Sequence, residues 1–154
     1  MAVEFALVVP LVCMLLIGTV TVALAYSQKL ALSNAVREGA RLGATAPNTS
    51  SWLGSVQQIT SNTFGDADGL PAASVCAALI KTTGGATPSE TVLQGPGTGC
   101  SLTDAPSSPA NIAAGCFVKV WSQKQTHLNW LLGSSDPFTK ATSVAIYDRN
   151  ELCS

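Results

Sequence analysis

At 154 residues the chain has room for one modest domain and an anchor. A net charge of −1 excludes a basic surface for nucleic acid. Charged residues are only 11% of the chain, against roughly 25% in ordinary domains, while hydrophobic residues reach 47%, an unusual balance for a soluble enzyme.

The apolar excess lies at the N-terminus, in "MAVEFALVVPLVCMLLIGTV". From Phe5 to Tyr26 there is no charge, a run of about 22 residues, and a helix crossing the hydrocarbon core needs roughly 20. A signal-peptide apolar core is shorter, about 7–15 residues, and follows a basic stretch. The run therefore predicts a transmembrane helix. Its one ionisable neighbour is Glu4, and a carboxylate at a bilayer edge is costly unless it has a partner. Cys13, inside the run, reads as a small apolar filler.

Lys29, Arg37 and Arg41 follow the run, and no basic residue precedes it. The positive-inside rule taken alone would place the C-terminal part in the cytoplasm. The remaining cysteines, Cys76, Cys100, Cys116 and Cys153, argue for the opposite side. An even number in a small domain with a thin core points to disulfides and an oxidising compartment. They lack the C-x-x-C spacing of a zinc site, and the chain has one histidine. A basic leader ahead of Met1 would reconcile the two signals.

The helical pattern continues beyond the apolar run. Leu32, Val36, Ala40 and Gly43 recur every three or four residues as one stripe, with Lys29, Arg37 and Arg41 off it. One helix is expected from about Ala2 to Ala44, roughly 65 Å long, with Pro10 as a point where it would kink. "APNTSS" ends it. Asn48-Thr49-Ser50 matches a glycosylation sequon, but a turn feeding a helix cap is the simpler reading. Ser50 or Ser51 would cap a short helix with Trp52, Val56, Ile59 and Thr63 on its inner face, ending near Phe64 before Gly65.

Short β-like runs follow "GDADGLPAA": Ser74–Thr83, Glu90–Gln94, Cys116–Gln123 and Thr142–Arg149. In "PAASVCAALIK", Pro71 and Gly84 also allow a helix. "FVKVWSQ" alternates Val118, Val120 and Ser122 against Phe117, Lys119, Trp121 and Gln123. "SVAIYD" alternates Val144, Ile146 and Asp148 against Ala145 and Tyr147. "THLNWLLG" reads as a short helical turn, and Gly95–Gly115 as loop. The expected fold is α+β: a long N-terminal transmembrane helix (residues 1–46), then a small disulfide-stapled head (residues 47–154) with a short helix and an antiparallel β-sheet.

Four cysteines allow three pairings. A hairpin of the first two strands would bring Cys76 to Cys100 at its open end, and an antiparallel last pair would bring Cys116 to Cys153. Cys100–Cys116 remains the main rival.

No constellation for catalysis is present. His127 is a lone histidine, and there is neither a G-x-S-x-G elbow nor an H-E-x-x-H helix. "GPGTG" at 95–99 lacks the Lys-Ser/Thr of a phosphate loop, and "GDADG" at 65–69 lacks the spacing and closing Glu of a calcium loop. No enzyme activity, cofactor or metal is expected.

The apolar run with an embedded Glu4-Phe5 and with Pro10 a few residues later resembles the N-terminal segment of TadE-like minor pilins, pseudopilins of the Tad (type IVc) pilus. "AVREGARLGA", Ala35–Ala44, and "ATSVAIYDRNE", Ala141–Glu151, are similar to the family's segment past the membrane and to its terminal strand. The resemblance implies a subunit held in the cytoplasmic membrane before assembly, with an extracytoplasmic head. It implies a basic leader removed by a prepilin peptidase, and other pilin subunits as partners in a cell-surface filament. The family's acidic residue lies near the fifth mature position, whereas here it is Glu4. In that setting Glu4 would meet a neighbouring subunit's N-terminal ammonium and set the axial register. The alternative is a single-pass anchored head that binds a surface ligand and never polymerises.

Overall fold

The computed structural model describes the chain except residues 1, 65–69, 71–73, 86–87, 109–112, 126–127, 131–132, 136–137 and 150–154; side chains of 2–4, 6, 125, 128–130, 133–135 and 138 are also outside the description. Cys153, His127, Gly65, the "GDADG" segment and the side chain of Glu4 therefore lie outside the described residues.

Helix α1, Ala2–Thr45, runs for 44 residues, about 66 Å at 1.5 Å per residue. It passes through Pro10 as one helix. Its two halves have different surroundings. Among the described side chains from Phe5 to Leu30 none is buried, whereas Leu32, Ala35, Val36, Gly39, Ala40, Gly43 and Ala44 are. The second group recurs at helical spacing, so it forms one face, as the stripe in the sequence predicts.

Helix α2, Trp52–Thr63, crosses that face. Its buried residues are Trp52, Val56 and Thr60. The strict four-residue spacing corrects the expected inner face, because Ile59 and Thr63 are exposed and Thr60 replaces them. Thr60 can be buried because its hydroxyl donates to the Val56 carbonyl at 2.7 Å. Ser51 is the N-cap, but its side chain makes no capping hydrogen bond. Phe64 forms the C-cap, its N–H donating to the Thr60 carbonyl.

Four strands build the main antiparallel sheet: β1 (Val75–Thr82), β2 (Glu90–Gln94), β3 (Gly115–Gln125) and, after two short strands, β6 (Phe138–Ile146), in spatial order β2-β1-β3-β6. "PAASVCAALIK" thus supplies a strand and not a helix. The last strand begins earlier and ends earlier than the expected Thr142–Arg149. "THLNWLLG" is not a helical turn: β4 (Leu128–Trp130) and β5 (Gly133–Ser135) pair as a separate two-stranded sheet. Its apolar spacing suited a helical turn as well as two three-residue strands, and so short a segment does not separate the two.

Both faces of the sheet are covered. On the helix side, Val75, Ala77, Leu79, Cys116, Val118, Val120, Ala141 and Tyr147 join Leu32, Val36, Trp52 and Val56 in the main core. On the other side, Cys76, Ala78, Ile80 and Trp121 pack under Cys100 and Ala105. The Cys76–Cys100 disulfide, with Cα atoms 5.7 Å apart, fixes that cover. This is the expected first pairing, and it removes the Cys100–Cys116 rival. Cys116 is itself disulfide-bonded.

The loop after β2 crosses β1 closely. Gly95 has φ +97°, and a Cβ there would collide with the Ala77 carbonyl oxygen. The glycine run "GPGTG" thus has a packing role: it lets one backbone lie against another.

Candidate functional site

The exposed half of α1 is the chain's most unusual surface. Phe5 is 75% exposed, Leu11 64% and Tyr26 62%. An uncharged run of about 22 residues rises about 33 Å as a helix, matching a hydrocarbon core of about 30 Å. Its hydroxyls do not interrupt the apolar exterior. Thr19, Thr21 and Ser27 donate to the carbonyls of Leu16, Gly18 and Leu24, each at 2.8–2.9 Å, so their polarity is turned back onto the helix. Gly18 and Ala23 leave a shallow groove between Met14, Leu15, Val22 and Tyr26. By length and composition α1 can cross a membrane.

Glu4, Phe5 and Pro10 occupy the first turns of this helix. Phe5 and Pro10 are exposed. Cys76, Cys100 and Cys116 belong to a different part of the molecule, where Cys76 and Cys100 are brought together. Cys13 is free and exposed on the apolar half.

Past the apolar segment the helix becomes part of the head, and two glycines make that possible. A Cβ at Gly39 would collide with the Thr60 hydroxyl oxygen. One at Gly43 would stand 2.9 Å from Val118 Cγ1 and 3.2 Å from Trp52 and Val56. The Trp52 indole N–H donates to the Gly43 carbonyl at 3.0 Å, a bond that an uncovered glycine backbone permits. The "EGARLGA" segment therefore carries a four-residue repeat of glycine for close approach of α2 and β3.

The end of α1 is held by the end of β6. Tyr147 Oη donates to the Ala46 carbonyl at 3.0 Å, the Asp148 N–H to Ala44 at 3.1 Å and Arg149 Nε to Thr45 at 3.0 Å. The last carbonyls of a helix have no partner within it; here "YDR" supplies one to each of three in a row. Sequence reading missed this tie. Its signal was an aromatic, acidic and basic triplet directly after an alternating strand.

A second feature missed in sequence is an ion pair on the sheet face opposite the helices. Lys119 Nζ, only 2% exposed, lies 2.8 Å from Glu90 Oε1 and 2.9 Å from Oε2. Burial raises the pKa of the Glu90 carboxyl, but hydrogen bonds from Lys119 and Ser108 outweigh it, and the net direction is downward.

Nearby, a cavity of about 290 Å³ lies against the disulfide, between Ser74, Ser101, Asp104, Trp121 and Gln123. Its carboxylate, Asp104, faces Lys140 at 3.6 Å. Among the described residues no group of three or more His, Cys, Asp or Glu is placed to hold a metal ion.

No curated protein and no solved structure matches the chain. Residues 1–41, which span the exposed half of α1 and most of its buried face, are similar to the family model described as TadE-like protein.

Proposed function

We propose that the chain is a structural or assembly-priming subunit of a Tad-type pilus, held in the membrane by α1 before assembly and packed through α1 afterwards. The observation that carries the reading is the division of a single helix. Its N-terminal half exposes only uncharged side chains over a membrane's thickness, and its C-terminal half forms the head's core. The family match falls on that same helix. A rigid rod fixed at one end into a folded head can leave lipid and enter a bundle of like helices without rearranging the head. Lipid gives apolar helices little reason to associate, so packing contacts and polar groups must direct it. Glu4 is the group suited to set the register, by pairing with the N-terminal ammonium of the neighbouring subunit.

In this reading the head is extracytoplasmic, where the Cys76–Cys100 disulfide persists, and a prepilin peptidase processes the precursor. The reading assigns the protein no catalytic step. The test is a Glu4→Ala variant expressed in cells lacking the native protein, with pili sheared from the cells and the membrane-bound pool measured separately. The expected result is a stable membrane-held subunit with loss of assembled filament. Normal filament levels would refute the register role. N-terminal sequencing of the native protein tests the processing: an uncut chain that never enters sheared material would favour the non-polymerising anchored head.

A further inference from the structure

The cavity beside the disulfide has a floor set by strand register. In β3, Val118 and Val120 enter the core on the helix side, and Trp121 packs on the other face. Across the ladder Cys76 pairs with Trp121 and Val75 with Ser122, so Ser74 and Gln123 come next. Over this end of the sheet lies the segment Cys100–Asp104. Its one short turn, Leu102–Asp104, is capped by Ser101, whose hydroxyl accepts from the Thr103 N–H at 3.3 Å. The Cys76–Cys100 bond fastens that turn to the sheet. The cavity of about 290 Å³ is the space left between turn and sheet.

The walls are held in place, yet some of their polar capacity is unused. The Ser122 hydroxyl donates to the Ser74 carbonyl at 3.0 Å, which fixes the floor. Trp121, 5% exposed, adds an apolar ring. Asp104 meets Lys140 through Oδ1 alone, at 3.6 Å. Its Oδ2, the Gln123 amide and the Trp121 indole N–H have no hydrogen-bond partner among the described residues. A carboxylate oxygen accepts, an indole N–H donates, and an amide does both.

Charge and size narrow the ligand. Among the described residues Asp104 is the one ionised group lining the cavity, and Lys140 stands beside it. An anion would face that carboxylate, and a cation would find it already balanced by Lys140. A hydrocarbon would leave the polar groups unpaired, which carries a desolvation cost. Pockets for drug-sized molecules run from about 300 Å³ to 1,000 Å³, so this one takes a smaller guest. A single ring with hydroxyls on its rim and C–H groups on its face meets all three conditions, because an indole ring packs well against such a face.

We propose that this cavity binds one neutral sugar residue at the end of a glycan chain. Trp121 packs against the C–H face of the ring, and Asp104 and Gln123 hydrogen-bond its hydroxyls. The disulfide then has a role beyond stability, since it holds the Asp104 turn over the sugar. This inference stands apart from the reading of α1 as a membrane and filament helix.

Saturation-transfer NMR on the full chain tests it, in dodecylphosphocholine micelles, which carry no sugar. The probes are the methyl glycosides of glucose, galactose, mannose and N-acetylglucosamine, with propionate and tetramethylammonium as charged controls. At least one glycoside should receive saturation, most strongly at its ring C–H protons, and neither control should. The signal should fall several-fold in Gln123→Ala and in Asp104→Ala. Both positions are exposed, so each variant should keep the wild-type circular dichroism spectrum. A second readout needs no variant. The glycoside should move the Trp121 indole N–H resonance and leave that of Trp52, which is bonded to Gly43 inside the head. If no glycoside is saturated, the proposal falls. Saturation unchanged in both variants, or a Trp121 resonance that stays in place, would put the sugar elsewhere and overturn it. Transfer to tetramethylammonium without transfer to any glycoside would assign the cavity to a cation and overturn it as well.

Discussion

The hydroxyl of Tyr147 donates to the carbonyl of Ala46 at 3.0 Å, joining the end of the last strand to the end of the first helix across most of the chain. α1 has no basic residue in its own last turn. Arg149 supplies the missing cation from β6's exit, where it meets the negative end of the helix. The helix that protrudes from the head is thereby held at its far end by hydrogen bonds as well as by burial.

Tyr147 is 2% exposed, so Tyr147→Phe leaves the Ala46 carbonyl without that partner while conserving the ring. The expected loss is about 1–2 kcal/mol. Arg149 is exposed, and Arg149→Ala should cost less than about 1 kcal/mol. Chemical denaturation of the full chain in detergent micelles measures both. A Tyr147→Phe midpoint equal to wild type would show that the bond does not hold the helix end.

At Gly39 and Thr60 the two helices approach closely enough to leave no room for a Cβ. Gly39→Ala gains about 1 kcal/mol of helix propensity but drives a methyl into the Thr60 hydroxyl, and overpacking of this kind costs typically 1–3 kcal/mol. The net expectation is destabilisation. The Thr60→Ala change removes the colliding atom, so the Gly39→Ala/Thr60→Ala pair should be more stable than Gly39→Ala alone. That recovery is the sign of direct coupling. Additive losses in the double variant would mean that the helices separate by another route.

Much of this architecture is legible in the sequence, for reasons specific to each element. α1 is readable from end to end because an uncharged run flows into the periodic stripe of Leu32, Val36 and Ala40 without a break. The β1–β2 hairpin and the Cys76–Cys100 pair follow from strand spacing. β1 itself was ambiguous because it is buried on both faces: Val75–Ile80 show no alternation, and a doubly covered strand reads like a short buried helix. Thr60 was missed because a mixed three- and four-residue spacing put Ile59 and Thr63 on the inner face, whereas the buried positions keep a strict spacing of four. Only its bond to Val56 allows it in, and that bond depends on the fold. The Glu90–Lys119 pair was illegible because it joins β2 to β3, which are not adjacent in the sheet but lie either side of β1. For Glu4 the sequence remains the whole basis of its assignment, as an acidic residue beside a membrane-length run.

The two partners of that ion pair should respond unequally to substitution. Lys119 is 2% exposed but the Glu90 side chain is 33% exposed. Glu90→Gln leaves a buried ammonium without its counter-charge, and breaking such a pair from one side costs up to about 3–5 kcal/mol. Partial exposure of Glu90 places the expectation at the lower end, about 2–3 kcal/mol. Lys119→Met removes the buried charge and leaves a carboxylate that water can reach, so its effect should stay within about 1 kcal/mol. The pH dependence has a definite sign. The folded-state pKa of Glu90 lies below its ordinary value of 4.5, so the unfolded chain takes up the proton first. The stability the pair contributes is complete above that ordinary value and is lost as pH falls through the folded one. Denaturation midpoints across the acid range should fall more steeply for wild type than for Glu90→Gln; parallel curves would remove Glu90 from the acid response.

The Cys76–Cys100 bond closes a separation of 24 residues, worth about 3–4 kcal/mol in the chain-entropy account. Its position gives it a second, local effect. It holds Cys100 and Ala105 over Ala78, Ile80 and Trp121, and few other ties do so. The segment's Pro96 carbonyl accepts from the Ala77 N–H at a long 3.3 Å, and Asp104 meets Lys140 at 3.6 Å on the surface. On the helix side, by contrast, the core is packed by α1 and α2, and the disulfide at Cys116 is left in place. A Cys76→Ala/Cys100→Ala variant should therefore lose stability unevenly. Amide exchange should quicken in residues 95–105 and in β1, while α1 from Leu32 to Ala44 keeps its protection. The midpoint should drop by an amount matching about 3–4 kcal/mol. Exchange that quickens equally in α1 would show that the two faces of the sheet unfold as one unit, and that the disulfide supports the whole head and not only its outer cover.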